Sequence, residues 1–90
     1  MIDLRECTVF VNDETEYKAI AAVAKKQGFY WINSVPLDHI YCRFPTRLRF
    51  SEEYGVTYNA TAYLYYPRDY QCKDILKGLG MLVIKRKKGK

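Results

Sequence analysis

The single histidine, His39, stands three residues before Cys42, with Asp38 beside it. A thiol and an imidazole within hydrogen-bond reach can form a thiolate nucleophile, with a carboxylate orienting the ring. Residues so near in sequence rarely reach that geometry, and no glycine-rich oxyanion motif accompanies them. A loop histidine beside a buried cysteine explains the same residues. A zinc site would need four ligands, so His39 and Cys42 would have to gather Cys7 and Cys72 from distant elements, without supporting spacing. No phosphate loop, dinucleotide fingerprint or HExxH pair occurs. A helix cap accounts for Glu14-Thr15-Glu16, and a turn for Glu52-Glu53. Catalysis is not expected, nor is a metal or a cofactor.

A second constellation comes from alternation. Thr46-Arg47-Leu48-Arg49-Phe50 alternates apolar and basic residues, Ser51 to Gly55 supplies a turn, and Val56 to Tyr66 is rich in Val, Thr, Tyr and Leu. This pattern predicts a hairpin over 46–66. Successive strand residues face opposite ways, so Leu48, Phe50, Val56, Tyr58, Ala60, Ala62 and Leu64 sort to the inner face. Arg47, Arg49, Thr57, Thr61, Tyr63 and Tyr65 then share the outer face. Tyrosine and arginine dominate protein–protein hot spots. They also stack on bases and hold phosphates in single-stranded nucleic acid. An ordinary amphipathic sheet face is the third explanation, since Tyr and Thr are good strand formers. Tyr63-Leu64-Tyr65-Tyr66 lacks the basic and glycine positions of an RNA-recognition motif.

The elements that position these residues follow from periodicity. Cys7 to Val11 is β-branched and aromatic and predicts a strand. Asp13 with Glu16 three residues later has capping-box spacing. Tyr17, Ile20, Ala21, Val23 and Ala24 form an apolar stripe, so a helix is predicted over 14–27 with Gly28 after its end. Phe29 to Ile32 predicts a second strand, and Asn33 to Pro45 a loop, with Tyr41 to Phe44 as a candidate edge strand. Pro67-Arg68-Asp69 is expected to break the chain before a helix over 70–79 bearing Cys72, Ile75, Leu76 and Leu79. Gly80 closes it, and Met81 to Ile84 forms a last strand. The order β-α-β-β-β-α-β predicts an α+β two-layer sandwich with a mainly antiparallel sheet and two helices on one face, a ferredoxin-like variant.

Composition sets the frame for these readings. Ninety residues, 49% hydrophobic and 16% aromatic, allow one small domain with a packed core. The net charge is +5, but Lys85, Arg86, Lys87, Lys88 and Lys90 supply all of it, since the other residues hold ten basic and ten acidic groups. A neutral domain over 1–84 and a basic tail over 85–90 are therefore expected. No apolar run approaches the roughly 20 residues of a membrane span, and no signal peptide is visible. Three widely spaced cysteines without a CxxC pair predict reduced, buried thiols in a cytoplasm.

Glu16-Tyr17 opening a helix, then Gly28-Phe29-Tyr30-Trp31 opening a strand, resembles small uncharacterised phage and prophage accessory proteins. The stretch from Pro45 to Tyr58 is similar to their continuation. The resemblance implies a compact protein of an infected or lysogenic bacterial host, binding and inhibiting or modulating a host or antiviral-defence protein. The alternatives are a nucleic-acid binder using the outer face with Lys85, Arg86, Lys87, Lys88 and Lys90, and a sponge for a small anionic ligand such as a nucleotide. Unpaired sheet edges also leave a homodimer open. If the tail gives the chain nucleic-acid affinity, the affinity falls steeply with salt and disappears on deletion of 85–90, as fluorescence anisotropy with oligonucleotides would show.

Overall fold

The structure, a computed structural model, describes residues 2–59 and 66–78. Their elements run β1 (Cys7–Val11), α1 (Glu14–Gln27), β2 (Tyr30–Trp31), β3 (Thr46–Phe50), β4 (Gly55–Tyr58), β5 (Arg68–Gln71) and α2 (Cys72–Gly78). The five strands form one sheet in the order β2-β4-β3-β1-β5. The chain is thus a small α+β sandwich, as its pattern predicts. The sheet is mixed rather than mainly antiparallel: β3 pairs antiparallel with β1 and β4, whereas β1–β5 and β2–β4 are parallel.

Local chemistry explains the first helix. Asp13 is its N-cap, with the side chain accepting from the Glu16 N–H at 2.8 Å. The reciprocal contact lands one residue earlier than in a simple capping box, because Glu16 Oε1 accepts from the Asn12 N–H at 2.9 Å. Gly28 ends the helix at φ +100°, a left-handed conformation that costs a side-chain-bearing residue energy. Tyr17, Ile20, Ala21, Val23 and Ala24, the predicted stripe, are all buried.

The core lies between this stripe and the inner sheet face. Register places Cys7 beside Phe50 and Val9 beside Leu48, and Phe50 beside Val56. All five are buried, and Leu4 and Phe29 close the same core. Ile75 and Leu76 of α2 complete it, and the Cys72 thiol donates to the Glu16 C=O at 3.6 Å.

Four expectations change. Pro67 to Asp69 does not simply break the chain: Arg68 to Gln71 lie beside Cys7 to Phe10 as a parallel strand. Tyr70 therefore packs on the core from a strand opposite Val9, and the helix begins at Cys72 instead of residue 70. The second strand is only two residues long, since the backbone turns back between Trp31 and Val35. Tyr41 to Phe44 is loop, not strand. The described part of the strand predicted over 56–66 ends at Tyr58, followed by Asn59 at φ +59°. Ala60, Thr61, Ala62, Tyr63, Leu64 and Tyr65, the end of the predicted second helix and the strand over 81–84 lie outside the described residues. So do the 84/85 boundary and the tail. Among the described residues no helix is long and apolar enough to cross a membrane.

Asp13→Ala leaves the Glu16 N–H without its cap and is expected to cost about 1 kcal/mol. Gly28→Ala, strained at φ +100°, is expected to cost a similar amount, on the order of 1 kcal/mol. Urea denaturation midpoints at constant slope test both.

Candidate functional site

Arg47, Arg49 and Thr57 share the outer sheet face, as alternation predicts. Cross-strand register sets Thr57 beside Arg49 and Arg49 beside Thr8, with Arg47 beside Phe10. This face is not an open platform at its centre. Arg47 Nε lies 3.2 Å from Asp69 Oδ1, and its guanidinium sits 5.0 Å from the centre of the Phe10 ring. Arg49 lies 4.3 Å from the centre of the Tyr66 ring. The Tyr66 N–H donates to Thr8 Oγ1 at 2.8 Å, and Thr8 is fully buried. Both arginines are therefore committed to partners within the chain. Thr61, Tyr63 and Tyr65, and Lys85, Arg86, Lys87, Lys88 and Lys90, lie outside the described residues.

The exposed aromatic surface is at the β2–β4 edge. Among the described residues, Tyr30, Ile32, Tyr41, Tyr54 and Tyr58 are the large hydrophobics that stand exposed, from 39% for Tyr54 to 68% for Ile32. Two hollows organise them on either side of Ile32. The first, about 360 Å³, has buried Trp31 and Val56 at its base and Ile32, Tyr41, Thr57 and Tyr58 around it. The second, about 400 Å³, is bordered by Tyr30, Ile32, Ser34, Glu53 and Tyr54. Among the described residues, Thr57 is the one shared by the predicted face and this surface.

Trp31 positions the first hollow. Its indole Nε1–H donates to the His39 C=O at 2.7 Å, which pins the loop over 33–45. Tyr17 stacks beside it at 6.2 Å between ring centres, and Tyr41 and Tyr58 meet it nearly perpendicular at 5.4 and 5.8 Å. Perpendicular contacts are favoured because a ring's positive edge meets a negative face. The same loop is held from the helix. Tyr17 Oη donates to the Leu37 C=O at 2.6 Å, and Lys25 Nζ pairs with Asp38 at 2.6 Å. Burial pushes the Tyr17 phenol up, so it stays a donor across the physiological range. Asn33 Nδ2 reaches Tyr41 Oη at 3.4 Å.

The predicted chemical residues do not assemble. His39 is exposed and packs on Tyr41, 4.3 Å between ring centres, and no hydrogen bond joins it to the buried Cys42 among the described residues. Burial raises the Cys42 thiol, the reverse of what a thiolate nucleophile needs. Cys7, Cys42 and Cys72 are buried thiols outside any disulfide. Among the described residues no group of three or more His, Cys, Asp or Glu could hold a metal ion.

The sequence carried one signal for the missed surface. Phe29-Tyr30-Trp31-Ile32 alternates, and Phe29 and Trp31 are buried while Tyr30 and Ile32 are exposed. Tyr58 is in phase with Val56 yet stands 40% exposed, because β4 extends past the end of β2. Nothing in sequence spacing marks Tyr41. Comparison with protein families, with curated proteins and with solved structures returned no match.

Burial lifts the Cys72 thiol from an ordinary 9.0 to about 12, and raises Cys7 and Cys42 as well. The unfolded chain therefore releases these protons at lower pH than the folded chain does. The stability they contribute is complete below about pH 9 and is lost as pH rises towards 12. Denaturation midpoints are expected to fall across that window. At pH 8 a thiol reagent is expected to label none of the three cysteines until urea unfolds the chain.

Proposed function

We propose that this chain is a non-enzymatic binding protein of the phage accessory type, acting in a bacterial cytoplasm on a host or defence protein. The observation that carries the reading is the grouping of Tyr30, Ile32, Tyr41, Tyr54 and Tyr58 around two adjoining hollows at one sheet edge. Tyrosines of this kind bury much area with few rotors lost, which suits them to interface anchoring. The contact surface is thus the β2–β4 edge with Thr57 at its margin, rather than the arginine face. Supporting a non-catalytic role, the Cys42 thiol is held protonated and has no imidazole partner among the described residues.

Charge weighs against the sponge for an anionic ligand at this surface. Among the described residues, those bordering the two hollows include no lysine or arginine, and the second has Glu53 at its rim. Arg5, 5.8 Å from the Tyr54 ring centre, is paired with Asp3 at 2.7 Å, so among the described residues a phosphate would find no uncommitted counter-charge. The nucleic-acid alternative draws on Arg47 and Arg49, whose side chains already have partners within the chain, and on the tail.

A capture experiment from host lysate, comparing the unmodified chain with Ile32→Glu, tests the reading. Retention of a stoichiometric protein by the unmodified chain and its loss with Ile32→Glu is the expected result. Ile32 is 68% exposed, so folding stability should change by less than about 0.5 kcal/mol. Retention of nucleic acid instead, lost on deletion of 85–90, would replace the proposal with the alternative.

A further inference from the structure

The first hollow has a polar demand as well as apolar walls. The Ser51 N–H donates to the Gly55 C=O at 2.9 Å, which makes that couple a hydrogen-bonded pair of the β3–β4 ladder. Antiparallel pairs alternate, so Arg49–Thr57 is bonded and Leu48–Tyr58 is not. The backbone N–H and C=O of Tyr58 therefore point away from β3, towards the side on which β2 lies. There the parallel ladder runs from Tyr30 N–H to Tyr54 C=O at 3.0 Å and from Ile32 N–H to Val56 C=O at 3.2 Å. The next rung would join the Tyr58 N–H to the Ile32 C=O. It is not made, because the chain turns away: Ser34 N–H donates to the Trp31 C=O at 2.7 Å and Trp31 N–H to the Val35 C=O at 2.9 Å.

That turn has two effects. It caps the outer edge of β2, so a further strand cannot pair along Trp31. It also leaves the Tyr58 edge without a partner among the described residues, beside a hollow of about 360 Å³. A ligand that fits must offer one donor and one acceptor in backbone spacing, together with a side chain for the hollow. An extended peptide does so with a single residue. Among the described residues those bordering it carry no formal charge, and an ion lodged there would lose hydration without a counter-ion from them, so the matching side chain is neutral.

We propose that the Tyr58 edge and its hollow take an extended segment of the partner protein, paired through its backbone to Tyr58 and lodging one neutral apolar or aromatic side chain against Tyr41 and Ile32. The proposal rests on the protein-binding reading and specifies how the partner is held.

The test uses the whole chain and a random library of N-acetylated, C-amidated octapeptides, with selected sequences resynthesised. Trp31 is the single tryptophan, so its fluorescence reports the hollow directly. Selected peptides are expected to share one apolar or aromatic position. Methylation of one backbone N–H at or beside that position should abolish binding, while methylation elsewhere is tolerated. Tyr41→Ala should weaken binding by about tenfold or more. Ile32→Ala, at an exposed position, serves as the second variant should Tyr41→Ala disturb the loop.

Recovery of no peptide, or tolerance of N-methylation at every position, would overturn the inference. So would a dimer of the chain alone that depends on the Tyr58 edge, since the occupant would then be a second copy. The two proposals fail separately. A lysate protein that depends on Ile32 and is not displaced by any peptide keeps the binding reading and removes the segment. Peptide binding without a captured protein does the opposite.

Discussion

Trp31 holds the candidate surface together. Its ring is almost wholly buried, yet its indole N–H needs an acceptor, and the His39 carbonyl supplies one at 2.7 Å. An unpaired buried N–H would cost on the order of 1–3 kcal/mol, so the contact fixes where the loop over 33–45 must pass. Once the loop is there, Leu37 meets Tyr17 of the helix and Tyr41 meets the tryptophan edge. A two-residue strand with little ladder of its own thus organises a loop of thirteen residues. Side-chain hydrogen bonds and ring contacts replace the backbone pairing that a longer strand would provide.

The same shortness creates the surface. Had β2 continued, Ile32 would have paired onward with β4, and the Tyr58 edge would have been covered. The turn at Trp31–Val35 instead exposes Ile32 as a ridge between two hollows and strands the last rung of the ladder. At the other side of the sheet the constraint is opposite. Parallel pairing of β5 to β1 brings Asp69 to Arg47 and Tyr66 over Thr8 and Arg49, so the centre of the outer face is covered by its own chain. The sheet is therefore wet and aromatic at one edge, and internally paired across its arginines.

Much of the fold was legible in local pattern. The bounds of β1, α1 and β3, the Asp13 cap, the Gly28 terminus and the inward positions of Leu48, Phe50 and Val56 all follow from periodicities of 3.6 and 2. Such features depend on neighbours a few residues apart. Less was legible after Tyr58. The Pro67-Arg68-Asp69 stretch has turn composition, and its pairing with β1 joins residues about sixty positions apart, a contact no local window contains.

The candidate site divides the same way. Sequence alone determined that Arg47, Arg49 and Thr57 share a sheet face, because strand geometry makes alternate residues parallel. It also located the whole net charge in the last six residues. Only the tertiary structure decided whether those residues were available. Availability depends on what long-range pairing lays over a face, and here Asp69 and Tyr66 are brought onto the arginines. It likewise decided that exposed tyrosines gather at the β2–β4 edge. Tyr30, Tyr41 and Tyr58 come from three separate segments: pairing of β2 with β4 sets the first and last at one edge, and the hydrogen bond from Trp31 to the His39 carbonyl places the loop that brings Tyr41 to them.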